Sequence, residues 1–186
     1  MRRIYSYICT LLVVILAATL TFREYKHRQA WEKVENASII LISKQDMKLR
    51  LIDYKGTELF SAPIATGRNP GDKRKRGDMR TPEGVFQVSD IQRASDWKHD
   101  FGDGKGEISG TYGDYFIRLA VPGHKGIGIH GTHLPESIGT RDSEGCIRLK
   151  NEDLNELVRL IYPPMTVIIT PAAEDEAANL IKEKKK

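Results

Sequence analysis

"GIGIHGTHLPESIGTRDSEGCIRLK", Gly126 to Lys150, carries the sharpest signal in the chain. A short β-branched run ends in His130, Gly131 follows, and Cys146 comes sixteen positions after the histidine. An extended strand, a loop and a second strand bring two such side chains together. An imidazole beside a thiol draws off its proton and makes it an acyl acceptor. The imidazole must itself be oriented through its other nitrogen. No Asp or Asn offers itself for that task, so the loop carbonyls after His130 are the candidates. Gly145, directly before the cysteine, permits a tight turn, and the N–H groups of Gly145 and Cys146 are then candidates to face a developing oxyanion. If "CIRL" is a strand, Cys146 and Arg148 share one face, and the guanidinium is available to clamp a substrate carboxylate.

Each of these residues has a plainer reading when taken alone. A single histidine is more often structural, and a single cysteine is more often a small buried residue. A metal site drawn from His124, His130, His133 and Cys146 matches no usual zinc spacing, so no metal is expected. The combination carries the signal.

Outward from this stretch the chain reads as mainly β. "SIILIS", "MKLRLIDY", "ELFSAPIAT", "GVFQVSDIQ", "YFIRLAV" and "MTVIIT" are short, rich in β-branched and aromatic residues, and separated by Gly and Pro turns. That pattern predicts a sheet that packs as a sandwich or closes on itself. One helix interrupts it. Asn151 reads as its N-cap, Glu152 and Asp153 occupy the first turn, Leu154, Leu157, Val158 and Ile161 recur at helical spacing, and Pro163 and Pro164 stop it. The loop Ser95–Gly106 is long enough to form a lid. Trp97, Tyr112 and Tyr115 read as core packing.

At the N-terminus, Arg2 and Arg3 precede an uncharged apolar run from Ile4 to Phe22. Its length suits a bilayer-spanning helix. An uncleaved signal-anchor over 1–22 is expected, with a cleaved signal peptide as the competing reading. Residues 23–36 then form a stalk, and 172–186 a charged, exposed tail. Cys9 lies inside the apolar run and reads as lipid-facing. Cys146 is thus alone in the exported part, where a free thiol is a liability unless it has a task. The net charge of +4 is mild. The densest basic stretch, Asp72 to Arg80, lacks aromatics and reads as a solvated loop, so no nucleic-acid partner is expected.

The segment around Cys146 resembles the catalytic core of the L,D-transpeptidase family, the YkuD-type domain. That family pairs an I-H-G segment with S-H-G-C-I-R and a following helix. "DMRTPEGVFQV", Asp78 to Val88, and "APIATG", Ala62 to Gly67, resemble its upstream segments. The resemblance covers Ala37 to Thr170, places a catalytic domain at 37–171 and implies a YkuD-like mainly β fold, a sandwich or closed mixed sheet, with one helix after the catalytic strand. It implies that Cys146 is the nucleophile, that His130 activates it and that Gly131 orients the histidine. Arg148, Ser143 and Gly145 match motif positions placed at the substrate. The implied substrate is a peptidoglycan stem peptide, the acceptor an amine of another stem or of a protein, and no cofactor is needed. The implied location is the cell envelope, membrane-anchored, with the catalytic domain on the periplasmic side.

One residue departs from the pattern. The family histidine beside the nucleophile is replaced by Glu144, whose carboxylate opposes thiolate formation. Three explanations are open. Glu144 points to solvent or pairs with Arg141 or Arg148; His133 supplies the missing imidazole; or the reaction is slow or altered. A hydrolase using the same acyl-enzyme and a non-catalytic wall-binding module are the alternatives in function.

Overall fold

The computed structural model describes residues 2–35, 37–102, 104 and 106–183. Two compact units emerge, Met1–Ala37 and Ser38–Lys186.

The first unit is a single helix, α1 (Arg2–Glu35). The side chains of Cys9 and of Arg2 and Arg3, which entered the reading of the anchor, lie outside the described residues. Among the described residues no helix is long and apolar enough to cross a membrane, so the expected spanning helix gains no support here.

The second unit is a curled mixed sheet. Its strands are β1 (Ser38–Ser43), β2 (Lys48–Asp53), β3 (Glu58–Pro63), β4 (Thr66–Gly67), β5 (Gly84–Arg93), β6 (Lys98–Asp100), β7 (Glu107–Ser109), β8 (Tyr115–Leu119), β9 (Gly128–His130), β10 (Arg141–Ser143), β11 (Ile147–Arg148) and β12 (Met165–Thr170). Helix α2 (Asn151–Leu160) separates β11 from β12, and α3 (Ala173–Glu183) follows β12. Eight strands form one sheet in the order β11-β9-β8-β5-β12-β1-β2-β3. Within this sheet β1 pairs with β12 and β11 with β9 in parallel, and the other pairs are antiparallel; β10 pairs with β4 in parallel and β6 with β7 in antiparallel as two small separate sheets. Ala65, just beyond edge strand β3, bridges Arg148 in the opposite edge strand through two bonds of 2.9 Å. The sheet therefore closes on itself, as one of the two expected architectures has it.

Period-2 alternation fills the interior. Met165, Val167 and Ile169 of β12 point inward, beside Ile40 and Ile42 of β1 and Leu49 and Leu51 of β2. Ile129 and Ile147, neighbours across β9 and β11, are fully buried with them. Each such side chain contributes about 1.5–3 kcal/mol by leaving water. α2 seals one end with Leu154 and Leu157.

Two expectations need correction. Asn151 does not cap α2; Lys150 holds the cap position without a side-chain bond, and Asn151 Oδ1 instead accepts the Thr132 N–H at 2.9 Å. The segment after 172 is not simply an exposed tail, since α3 anchors it. Asp175 in the first turn is fully buried and accepts bonds from the N–H groups of Gly71 (2.6 Å) and Ala172 (2.7 Å). It also pairs with Lys44 (3.1 Å) and Arg141 (2.9 Å). Residues 184–186 lie outside the described residues.

Candidate active site

β9 and β11 run side by side in parallel with Arg148 opposite His130. Ile129 and Ile147 face the core, so His130, Arg148 and Cys146, two residues before the arginine, share the other face. All three line one cavity of about 850 Å³.

His130 is 5% exposed and stacks on Phe116, ring centroids 5.5 Å apart, with Tyr112 at 4.9 Å. Its Nδ1 lies 2.7 Å from the carbonyl oxygen of Gly131. A carbonyl only accepts, so Nδ1 carries the hydrogen and Nε2 keeps its lone pair. Burial pushes the His130 pKa down to about 3, aided by Arg148 and His99 and opposed by the Gly131 carbonyl. The imidazole is thus a neutral base near pH 7, oriented by a loop carbonyl. The glycine at 131 is required by crowding: a Cβ there would meet Asn151 Oδ1 at 2.1 Å and Gly113 Cα at 2.9 Å.

Cys146 is half-buried, and its thiol donates to the Gly126 carbonyl at 3.4 Å. Burial raises its pKa; the Gly128 N–H, Arg148 and Lys73 act against this, and Glu144 acts with it. Thiol and imidazole are therefore both neutral at rest. The two groups do not form a standing ion pair.

The turn delivering the cysteine is tightly built. Ser143 is buried, its hydroxyl donating to the Cys146 carbonyl at 2.5 Å and accepting the Gly145 N–H at 3.0 Å. Ser143 thus faces the turn, and the Gly145 N–H, expected at an oxyanion, already has a partner. Gly145 has φ +127°, and a Cβ there would meet the Arg80 carbonyl oxygen at 2.7 Å. Gly145→Ala is expected to lower stability by about 1–3 kcal/mol and to slow acylation, read by urea unfolding and by adduct formation rate.

Arg148 is buried, and one arm of its guanidinium donates to Asp142 at 3.1 Å. Arg118 also lines the cavity, over the Phe116 ring and bonded to Gln92. The basic stretch after Asp72 is a loop, as expected, with Lys75 to Gly77 exposed and Lys73 buried. Asp78 organises it by accepting the N–H groups of Arg74, Lys75 and Arg80 and pairing with Lys73 at 2.9 Å. Lys73 to Arg76 form one wall of the cavity.

Glu144 answers none of the pairings read from sequence. Arg141 is engaged with Glu174 and Asp175, and Arg148 with Asp142. His133 does not line the cavity. The partner of Glu144 is His99, with Nε2 3.1 Å from Oε2; His99 Nδ1 lies 3.0 Å from the Tyr112 hydroxyl. Sequence reading missed His99. The segment read as a lid forms the hairpin β6–β7, and Trp97, His99 and Phe101 alternate along it into the cavity. That period-2 run of rings was the available signal. Trp97 and Tyr112 accordingly face the cavity instead of serving as core alone.

The profile of the YkuD family, the L,D-transpeptidase catalytic domain, matches residues 37–169. The chain belongs to this family. A Bacillus licheniformis relative bearing the L,D-transpeptidase name YkuD is 42% identical over 133 residues, 71% of this chain and 65% of that protein. YqjB of Bacillus subtilis, also named an L,D-transpeptidase, is 30% identical over 134 residues, 70% of each chain. The chain thus spans about two thirds of these relatives' length. Among solved structures, the helical cell shape determining protein Pgp2 of Campylobacter jejuni superposes with a TM-score of 0.55 at 26% identity, covering 80% of this chain and 56% of that one. L,D-transpeptidase 3 of Mycobacterium tuberculosis, solved with a faropenem-derived adduct, shares the fold with a TM-score of 0.54 at 20% identity, covering 72% and 60%. The pairing of Glu144 with His99 puts an imidazole beside Gly145 and Cys146 from another strand.

Proposed function

We propose that the protein is a peptidoglycan L,D-transpeptidase working through an acyl-enzyme on Cys146. The observation that carries this reading is the neutral, carbonyl-oriented His130 sharing a cavity and a sheet face with Cys146 and Arg148. A stem peptide enters with its terminal carboxylate toward Arg148. As the thiol sulfur attacks the carbonyl at the L-centre, its proton passes to His130 Nε2. The tetrahedral intermediate collapses, and His130 returns the proton to the departing amine of the D-residue. An amine of a second stem, or of a protein, then attacks the thioester carbonyl; the C–S bond breaks, and one nitrogen proton passes by way of His130 Nε2 to the sulfur, releasing Cys146 as the thiol. Catalysis of this kind requires no metal or organic cofactor.

The membrane-anchored, envelope location belongs to the same proposal. Its support is the uncharged run Ile4–Phe22 and the chemistry of the substrate. Peptidoglycan fragments incubated with the protein and profiled by mass spectrometry test the reaction. New cross-links dependent on Cys146 are expected. Shortened stems alone would make the protein a hydrolase, and no change a wall-binding module.

A further inference from the structure

The cavity is lopsided in charge. Seven Lys and Arg side chains line it, while Glu144 is the one carboxylate among the described lining residues. That carboxylate sits two residues from the nucleophile, where it disfavours the thiolate. A group that works against the nucleophile calls for another task.

Its surroundings define one. A carboxylate accepts and does not donate, so His99 Nε2 carries the hydrogen toward Glu144 Oε2. Nδ1 then accepts the Tyr112 hydroxyl hydrogen. His99 is further held edge-on by Phe101 and Tyr112, at 4.5 and 5.9 Å between ring centroids. The chain Tyr112–His99–Glu144 thus fixes one carboxylate oxygen and leaves the acceptor capacity of the other without a bond from the protein among the described residues. Carboxylates of a substrate have many cations to choose from in this cavity, but an ammonium has Glu144.

We propose that Glu144, positioned by His99 and Tyr112, is the binding residue for the ammonium of the acceptor amine. This deepens the transpeptidase reading and rests on it. The ammonium docks on Glu144 beside the thioester and gives one proton to that carboxylate. Its freed lone pair forms the C–N bond, and the C–S bond breaks. The second nitrogen proton passes through His130 to the leaving Cys146 sulfur, and Glu144 returns its proton to solvent. Thioester and ammonium become amide, thiol and one released proton. Glu144 would therefore bias the acyl-enzyme toward charged amines over water.

The test uses the full chain as wild type, Glu144→Gln and Glu144→Asp. The acyl-enzyme is formed with a disaccharide-tetrapeptide and then mixed with methylamine, an ammonium near pH 7, or with hydroxylamine, which is uncharged there. Loss of the adduct is followed by intact mass. Glu144→Gln is expected to slow methylamine attack about tenfold or more relative to hydroxylamine and water, with Glu144→Asp recovering part of the preference. Equal slowing of every nucleophile, no slowing at all, or a defect confined to acylation would overturn the assignment. A wild-type protein that forms no adduct would overturn the transpeptidase reading itself, whereas an adduct without the amine preference overturns only the role of Glu144.

Discussion

His130→Ala is expected to slow acylation of Cys146 by about 10²- to 10⁴-fold, the range a positioned general base contributes. The thiol at rest keeps its proton, because burial raises its pKa more than Gly128, Arg148 and Lys73 lower it. Without Nε2, the site loses the oriented, neutral imidazole that is to take that proton. The same burial gives a stability signature. The His130 pKa falls from 6.5 to about 3 on folding, so as pH drops below about 6.5 the unfolded chain takes up a proton that the folded chain refuses. This contribution is fully present above 6.5 and is lost progressively toward pH 3. Urea midpoints measured between neutral pH and about pH 4 should therefore fall more steeply for wild type than for His130→Gln. An equal slope in both would mean that the imidazole is not held neutral.

Asp175→Ala is expected to destabilise the protein by about 3–5 kcal/mol, the penalty for removing one partner from a buried charge network. Lys44 is 1% exposed, and its ammonium lies 2.7 Å from Glu83 and 3.1 Å from Asp175. Removing Asp175 leaves Lys44 with Glu83 as its carboxylate and the Gly71 and Thr81 carbonyls at 3.4 Å, and strips Arg141 of its buried partner. Arg141 opens β10, which leads directly into the turn carrying Cys146, so the loss should reach the site. Asp175 is held below the usual carboxylate range: burial raises its pKa, but the Ala172 and Gly71 N–H groups and Lys44 outweigh it. Its contribution is present above that range and declines as pH falls through it. Thermal unfolding at neutral pH gives the comparison, and a loss below about 1 kcal/mol would contradict the network's role.

The strands were legible because their alternation is local, and so was the His130–Cys146 pair, which one loop connects. What the sequence did not reveal depends on partners far apart along the chain. His99 meets Glu144 across 45 positions, from a strand of three residues in a polar, glycine-rich stretch. Asp175 sits in a run of charges that looks solvated, and its partners Lys44, Gly71 and Arg141 come from three separate segments. Asn151 carried a good capping signal, but the Thr132 N–H in the loop after His130 claimed its side chain. Local propensity yielded there to the loop that orients the base.

Intact-mass spectrometry of the full chain after incubation with disaccharide-tetrapeptide, beside Cys146→Ala, tests the central claim most directly. A covalent adduct that appears in wild type, equals the donor minus its terminal D-residue, and is absent from Cys146→Ala is the predicted result. A wild-type mass that stays unchanged while the peptide is bound, or an adduct that persists in Cys146→Ala, would contradict the assignment of Cys146 as the acyl-carrying nucleophile.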